Sequence, residues 1–222
     1  MGTLYLVRHG QASFGADNYD QLSVRGMQQS VRLGAYFAQK GIAFEAMLTG
    51  TLQRQIQTLA GICEGAQSTA QALTFPGLNE YDSAAVIEAI HPHELEKPDT
   101  PELYRHHFRL LRDGLTQWMN GVVSPRGMPT YRQFVDDIAA VLDHVRKTFE
   151  GNVLLVSSGG PIATAVGQVL GTTPETTIEM NLRIRNSAVT EFVFNPKRYS
   201  LLTFNTLPHL DAEQFVDWVT YA

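Results

Sequence analysis

The feature that most constrains this chain is a short apolar run near its start that ends in a charged pair. Residues 4–8 are mostly apolar or aromatic and are bounded by turn residues, which is typical of a buried β-strand. The run ends at Arg8, His9, Gly10 and Gln11. In an open α/β sheet, ligands bind outside the carboxyl ends of the strands. The sequence therefore predicts a ligand site directly after the first strand.

The residue types at this strand end suit a bound anion. The guanidinium of Arg8 offers a planar fork of donors that matches phosphate or carboxylate. His9 supplies a nucleophile or base that titrates near neutral pH. Gly10 lets the backbone come close to the anion. We therefore expect an anion-binding site that contains a reactive histidine.

Strand and helix patterns alternate along the rest of the chain, after a polar loop at residues 12–22. Further strands are predicted at residues 44–48, 70–75, 152–156, 184–194 and 200–205. Helices are predicted at residues 24–40, from Thr51, at 84–90, from Thr100, from Thr130 to before Gly151, and from Pro161 to about residue 170. The continuous apolar run at 153–156 fits the centre of a parallel sheet that is covered on both faces. We therefore predict an α/β fold, a three-layer α/β/α sandwich with a mostly parallel sheet and a helical insertion.

The stretch at about residues 81–129 carries the least information about its own structure. Thr100 as N-cap and Pro101 at the first helical position indicate a helix within it. A chain of 222 residues suits one domain. We therefore expect residues 1–222 to form a single domain in which residues 81–129 are the helical insertion.

Composition and charge argue against several classes of protein. The net charge of -5 argues against a general binder of nucleic acid or of anionic membranes. No apolar run reaches the roughly 18 residues that a membrane helix needs, and the single cysteine, Cys63, allows no intrachain disulfide framework. The first strand begins almost at Met1, which leaves no room for a signal peptide. We expect a cytoplasmic protein with no nucleic-acid and no membrane partner.

Three short segments carry a family resemblance. They are Leu-Val-Arg-His-Gly-Gln at residues 6–11, a D-x-L-(S or T)-x-x-G pattern at residues 20–26 and an L-x-R-x-x-Q-T pattern at residues 52–58. Together they resemble the histidine phosphatase superfamily, the phosphoglycerate mutase-like proteins. The resemblance implies that Arg54 is a second phosphate-binding arginine. Taken alone, Arg54 is an ordinary solvated cation in a first helical turn, where the helix dipole slightly disfavours it.

A fourth segment, at residues 78–80, resembles the L-x-E context of the family's general-acid glutamate. The family often continues with a Gly-x-Trp-Glu-Gly-like sequence, whereas this chain continues with Tyr-Asp-Ser-Ala. The resemblance implies that Glu80 is the general acid. A surface glutamate at this position and a substitute carboxylate at Asp82 are the alternatives.

The resemblance also implies a mechanism. His9 attacks a phosphoester and becomes a phosphohistidine, while Glu80 protonates the leaving oxygen. Water then hydrolyses the intermediate, with Glu80 as the base. Arg8 and Arg54 stabilise the negative charge that spreads over the phosphoryl oxygens. The remaining phosphate-binding candidates are Gly10, Gln11, Ser13, Ser158 and Gly159.

Ser158 is the main departure from the family pattern, which has a second histidine in a V-x-H-G-G segment at this point. Three interpretations remain open. The Ser158 hydroxyl, with the amides of Gly159 and Gly160, forms a working variant of the phosphate pocket. Alternatively, His91 or His93 enters the site from the insertion, or the protein binds phosphorylated ligands with little turnover. Ser158 is also placed to cap the following helix, which is compatible with phosphate contact.

We expect a phosphomonoester hydrolase that acts on a small phosphorylated metabolite or a phosphopeptide. A catalytically weak or inactive phosphate-binding module is the alternative, because of Ser158. A phosphoglycerate-type mutase is less expected, since mutases of the family usually carry Trp-Asn after Arg-His-Gly-Gln-Ser and residues 12–15 do not match.

Neither a metal nor another cofactor is expected, because arginines supply the positive charge. The histidines of the insertion lack acidic or cysteine partners at a recognisable spacing, and they are His91, His93, His106 and His107. The expected partner is the phosphorylated substrate or phosphate, and a homodimer is left open.

Overall fold

A mixed β-sheet forms the middle layer of the fold in this computed structural model, which describes residues 1–13, 20–93, 95 and 100–221. Its described strands are β1 (Gly2–Arg8), β2 (Ala46–Thr49), β3 (Ala72–Thr74), β4 (Asn152–Ser157), β5 (Val189–Asn195) and β6 (Arg198–Thr206). Their order in the sheet is β3-β2-β4-β1-β5-β6. The first four strands in that order are parallel, whereas β5 is antiparallel to both β1 and β6. The sheet is therefore parallel from β3 to β1 and antiparallel from β1 to β6.

Helices connect these strands and cover the sheet. The described helices are α1 (Val24–Gln39), α2 (Gln53–Ala66), α3 (Ser83–Glu88), α4 (Pro101–Met119), α5 (Tyr131–Thr148), α6 (Gly159–Leu170) and α7 (Pro174–Arg183), with short 3₁₀ helices at Pro76–Leu78 and Glu213–Trp218. None of the helices in the described part of the chain is long and apolar enough to cross a membrane.

The central strand β4 shows why the fold has three layers. Leu154 and Val156 belong to an apolar cluster with residues of α1 and α2, whereas Val153 and Leu155 belong to a cluster with residues of α5 and α6. Successive side chains of a strand point to opposite faces of the sheet. Burial of each such side chain favours folding by roughly 1.5–3 kcal/mol. The predicted α/β/α architecture is therefore confirmed.

The strand predicted at residues 184–194 is wrong in its first part. The structure begins β5 only at Val189, and a helix that was not predicted, α7, precedes it. Thr173 caps that helix by accepting a hydrogen bond from the Thr176 amide, and Pro174 occupies its first position. Several threonines give the segment a low helix propensity. Packing of α7 against α6, with Thr177 and Ile178 buried, outweighs that propensity.

The predicted capping role of Thr51 is also wrong. Helix α2 begins at Gln53 after Leu52, which makes no side-chain capping bond to the described residues. Thr51 instead binds the Asn79 side chain, through its amide at 2.8 Å and its hydroxyl at 2.7 Å. The end of β2 is thereby tied to the turn that precedes Glu80.

The predicted insertion at residues 81–129 contains α3 and α4, and Trp118 of α4 is buried against Phe134 of α5. Part of the segment, and most of the polar loop predicted at residues 12–22, lies outside the described residues. The boundary of the insertion and the single-domain assignment stay predictions.

Removal of the α5 cap should lower stability measurably. The Thr130 hydroxyl accepts a hydrogen bond from the Gln133 amide, and the Gln133 side chain accepts one from the Thr130 amide. We expect Thr130→Ala to lower the free energy of unfolding by about 1 kcal/mol. Urea unfolding measures this as a lower midpoint with an unchanged slope. Thr148→Ala, an exposed threonine in the last turn of the same helix, is the control and should have almost no effect; equal losses in both variants would contradict the capping assignment.

Candidate active site

The parallel pairing of β1 with β4 brings two predicted site residues together. Arg8 lies opposite Ser157 in this pairing, so His9 and Ser158 are the next residues at the two neighbouring strand ends. Neighbouring strands lie about 5 Å apart. The His9 amide also donates to the Ser157 carbonyl at 2.9 Å. The candidate residues therefore meet at the carboxyl edge of the sheet.

His9 is buried and has the features of a neutral nucleophile. Its Nδ1 lies 2.7 Å from the Gly10 carbonyl, which can only accept, so we assign the ring proton to Nδ1. Nε2 then carries the lone pair, and Arg54 Nε donates to it at 3.3 Å. Burial lowers the pKa of His9 well below its usual range, and the charges of Arg8 and Arg54 lower it further, against the opposing bond to Gly10. The imidazole is therefore neutral near pH 7.

Both predicted phosphate-binding arginines lie beside His9 and are buried. Arg54 ion-pairs with Asp20 at 2.7 Å, and Asp20 also accepts a hydrogen bond from the Gln53 amide at the start of α2. The Asp20 carboxylate thus compensates for a cation in a first helical turn, where the dipole disfavours it. Arg8 donates to the Ile184 carbonyl, directly after α7. The guanidinium of Arg54 is thus held by Asp20, and that of Arg8 by the residue directly after α7.

Glu80 is half-buried, and its carboxylate contacts the first turn of α6. Its two carboxylate oxygens accept a hydrogen bond from the Gly160 amide, at 3.1 Å each. A side chain at position 160 would overlap the carboxylate and lie 2.6 Å from a ring carbon of Tyr81, so glycine is required for this approach. Burial raises the pKa of Glu80, although the Gly160 amide and the two arginines oppose the shift. The carboxyl group therefore keeps its proton to a higher pH than an exposed glutamate.

Ser158 is fully buried and occupies the N-cap position of α6. Its side chain makes no capping bond within the described chain, so the expected capping role is not realised. Its Oγ instead accepts a hydrogen bond from Gln55 Nε2 at 2.9 Å. The Gly160 amide binds Glu80, which leaves Ser158 and Gly159 as the candidates for anion contact on this side.

The loop after β1 is fastened by side chains of α1 and α2. The Gly10 amide donates to Thr58 Oγ1 and the Gln11 amide to Gln29 Oε1, both at 2.9 Å. Gln11 Oε1 accepts from the Ser23 hydroxyl at 2.8 Å. Ser13, whose amide donates to the Gln21 carbonyl, is the last residue described before the gap at 14–19. The phosphate contacts of Gln11 and Ser13 stay predictions.

The histidines of the insertion form a cluster of their own. The ring centroid of His91 lies 5.7 Å from that of His93 and 6.3 Å from that of His106, and His91 Nδ1 lies 3.2 Å from the His93 carbonyl. No three histidine, cysteine, aspartate or glutamate side chains of the described residues are grouped so that they could hold a metal ion.

The sequence interpretation overlooked several residues that build the site. Asp20 and Thr58 stood in the quoted motifs without a role, whereas Gln29, Gln55 and Asn181 had no local signal. Asn181 of α7 donates to the Tyr81 hydroxyl at 2.8 Å and so steadies the wall beside Glu80. Only its position in the unpredicted helix α7 brings it there.

Solved structures with this fold include phosphatases and a mutase. The phosphoglycerate mutase of Bacillus anthracis is 21% identical and has a TM-score of 0.65, with 94% of each chain covered. The phosphoserine phosphatase of Entamoeba histolytica in complex with 3-phosphoglyceric acid is 19% identical and has a TM-score of 0.66, with 95% of this chain and 100% of that chain covered. The alpha-ribazole phosphatase of Shigella flexneri is 18% identical and has a TM-score of 0.64, with 92% and 96% covered. At these identities the likeness shows the fold alone.

No curated protein matches the chain. The family model for the histidine phosphatase superfamily (branch 1) matches residues 4–207, which include the strand end at His9, the Arg54 segment, Glu80 and the Ser158 segment. As the motifs at residues 6–11 and 52–58 predicted, the chain belongs to the histidine phosphatase superfamily.

Proposed function

We propose that the protein is a phosphomonoester hydrolase that forms a phosphohistidine at His9 Nε2. The observation that carries the proposal is a buried His9 whose Nε2 accepts a hydrogen bond from the guanidinium of Arg54, and burial beside two arginines lowers the pKa of this histidine. A lone pair beside fixed cationic donors can attack phosphorus while those donors take up the charge on the phosphoryl oxygens. When a substrate is bound, its phosphoryl group takes over the Arg54 donor that contacts His9.

The first step transfers the phosphoryl group to the protein. The Nε2–P bond forms as the P–O bond to the leaving group breaks, and Glu80 gives its proton to the leaving oxygen. The raised pKa of Glu80 favours this role. In the second step a water attacks phosphorus and gives a proton to Glu80, the N–P bond breaks, and phosphate leaves. Arg8 and Arg54 bind the phosphoryl group in both steps.

The substrate class in this proposal is a small phosphorylated metabolite or a phosphopeptide. Phosphatases for phosphoserine and for an alpha-ribazole phosphate share the fold, which supports hydrolysis without naming the substrate. The arginines supply the positive charge, so the proposal includes no metal ion and no cofactor. The cytoplasmic location, the absence of nucleic-acid and membrane partners, and a homodimer stay predictions.

A phosphate-binding module with little turnover is the second candidate, and Ser158 is the observation that favours it. A serine hydroxyl carries no charge where the family pattern has an imidazole. Loss of one preorganised donor typically costs about 10²–10³ in rate, or about 3–4 kcal/mol. The retained hydroxyl reduces that cost, so we place hydrolysis first.

His9→Ala should abolish turnover of a generic aryl phosphate, by a factor of about 10³ or more, because the attacking atom is lost. The assay is run with EDTA, and a quench experiment with a labelled phosphoryl donor tests for an acid-labile, base-stable phosphoenzyme. We expect label on the wild type and not on His9→Ala. His93→Ala, an exposed histidine of the insertion, is the control and should match the wild type.

Undiminished turnover in His9→Ala would refute the nucleophile assignment. A wild type that binds phosphate in calorimetry but neither turns over substrate nor accepts label would favour the binding module instead.

The pH dependence of kcat/KM should report the protonation of Glu80. The active form has neutral His9 and protonated Glu80, so kcat/KM should fall as the pH rises through the raised pKa of Glu80 and fall again below the lowered pKa of His9. The optimum is therefore expected between the pKa values of the two groups. Glu80→Gln should remove the fall on the alkaline side that Glu80 causes, and should lower kcat by about 10²–10⁴ for substrates with a poor leaving group.

Asp82→Asn is the matched control for Glu80→Gln. Asp82 caps α3 through the amides of Ala84 and Ala85, and asparagine also caps helices well. The control should keep the wild-type pH profile. An unchanged profile in Glu80→Gln together with a changed one in Asp82→Asn would reassign the acid to Asp82.

A further inference from the structure

We propose that Gln55 is a positioning residue that turns the Ser158 hydroxyl into a donor for the phosphoryl group, so that a neutral Gln55–Ser158 pair replaces the second histidine of the family pattern. The inference rests on the proposed function and deepens it. Gln55 and Ser158 are both fully buried, and no local sequence signal connected them.

The hydrogen bonds around Gln55 fix its orientation. Its Nε2 donates to Ser158 Oγ at 2.9 Å and to the Leu78 carbonyl at 3.0 Å, which uses both of its N–H groups. Since Nε2 can only donate, the Ser158 oxygen must accept. The direction of this hydrogen bond is therefore set by the chemistry of the amide.

The proton of the Ser158 hydroxyl needs an acceptor of its own. A hydroxyl has one proton to donate, and the Leu78 carbonyl, which shares the Gln55 amide with Ser158, already accepts two hydrogen bonds. The Leu78 carbonyl, which has two lone pairs, accepts from Gln55 Nε2 and from the Ser157 hydroxyl at 2.7 Å. Among the described residues no other acceptor binds the Ser158 hydroxyl. The proton is thus kept for a ligand.

We assign the anion of the proposed reaction as the acceptor of this proton. Arg8 pairs with Ser157, so the residues that follow them, His9 and Ser158, are neighbours at the two strand ends. A phosphoryl group held by Arg54 over His9 Nε2 brings oxygens to this edge. The hydroxyl that accepts from Gln55 can then donate to one of them, as a neutral hydrogen bond where the family pattern has an imidazole.

A purely structural role for Gln55 makes different predictions. Gln55 also ties α2 to the turn at Leu78, so its loss will lower stability in either case. In a structural role, loss of Gln55 and loss of the Ser158 hydroxyl would act independently on kcat. In a positioning role, Gln55 acts only through Ser158, so the two losses overlap.

The test is a double-mutant cycle of Ser158→Ala, Gln55→Met and both together, read by kcat for an aryl phosphate and by the Kd for inorganic phosphate. Methionine keeps the length of glutamine without its N–H groups. We expect Ser158→Ala to lower kcat about 10²-fold and Gln55→Met about tenfold, with the double variant no worse than Ser158→Ala. Gln53→Met, an exposed glutamine in the same helix, is the control and should equal the wild type.

Two results would overturn the proposal: kcat and phosphate Kd within twofold of the wild type in Ser158→Ala, or losses that multiply in the double variant. Ser158→Ala adds no atoms to the core, so it keeps the proposal falsifiable should Gln55→Met not fold. If the wild type binds phosphate without turnover, the proposed hydrolysis fails, and the same four variants then judge the pair by phosphate Kd alone. A wild type that binds no phosphate overturns both proposals.

Discussion

The pairing of β1 with β4 is the contact on which the candidate site depends. It sets Arg8 opposite Ser157 and so places His9 beside Ser158, the position at which the family resemblance leads us to expect a second histidine. A slip of one residue would turn every side chain of the strand to the other face. The apolar side chains of β4 pack alternately into the two clusters on either face of the sheet, so the core that stabilises the fold also fixes the register of the site.

The electrostatics of the site follow from burying two arginines near one histidine and one glutamate. Buried charge is costly unless it is partnered, and the partners come from far along the chain: Asp20 for Arg54, and the carbonyl of Ile184 for Arg8. With both cations held in place, His9 is kept neutral, because their charges and its burial act in the same direction. For Glu80, burial and the cations act in opposite directions, and burial prevails. The two cations thus favour the neutral form of His9 and oppose that of Glu80, which burial maintains.

The sequence allowed prediction of what is encoded locally. The strand end at His9 combines an apolar run with a turn, the cap at Thr130 lies within four residues, and the run at 153–156 can only be buried, so these elements were found. Helix α7 was missed because its threonines weaken the helical signal and its packing against α6 decides its structure. Gln55 was missed for a related reason. A glutamine next to a motif arginine has no special pattern, and its role appears only when α2 and β4 lie side by side.

In our proposal Ser158 takes the place of the family's second histidine, and this change affects one wall of the site and leaves the others intact. Arg8 and His9 lie at the end of β1, Arg54 lies in α2, and Glu80 lies just after Pro76–Leu78. These elements hold the four side chains in place without an imidazole at position 158. The cost of the substitution is therefore that of one donor and not of the whole constellation. A histidine placed at 158 would have to share a fully buried space with the side chain of Gln55. Serine and glutamine are hydrogen-bonded there, and our proposal treats the pocket as built around this pair.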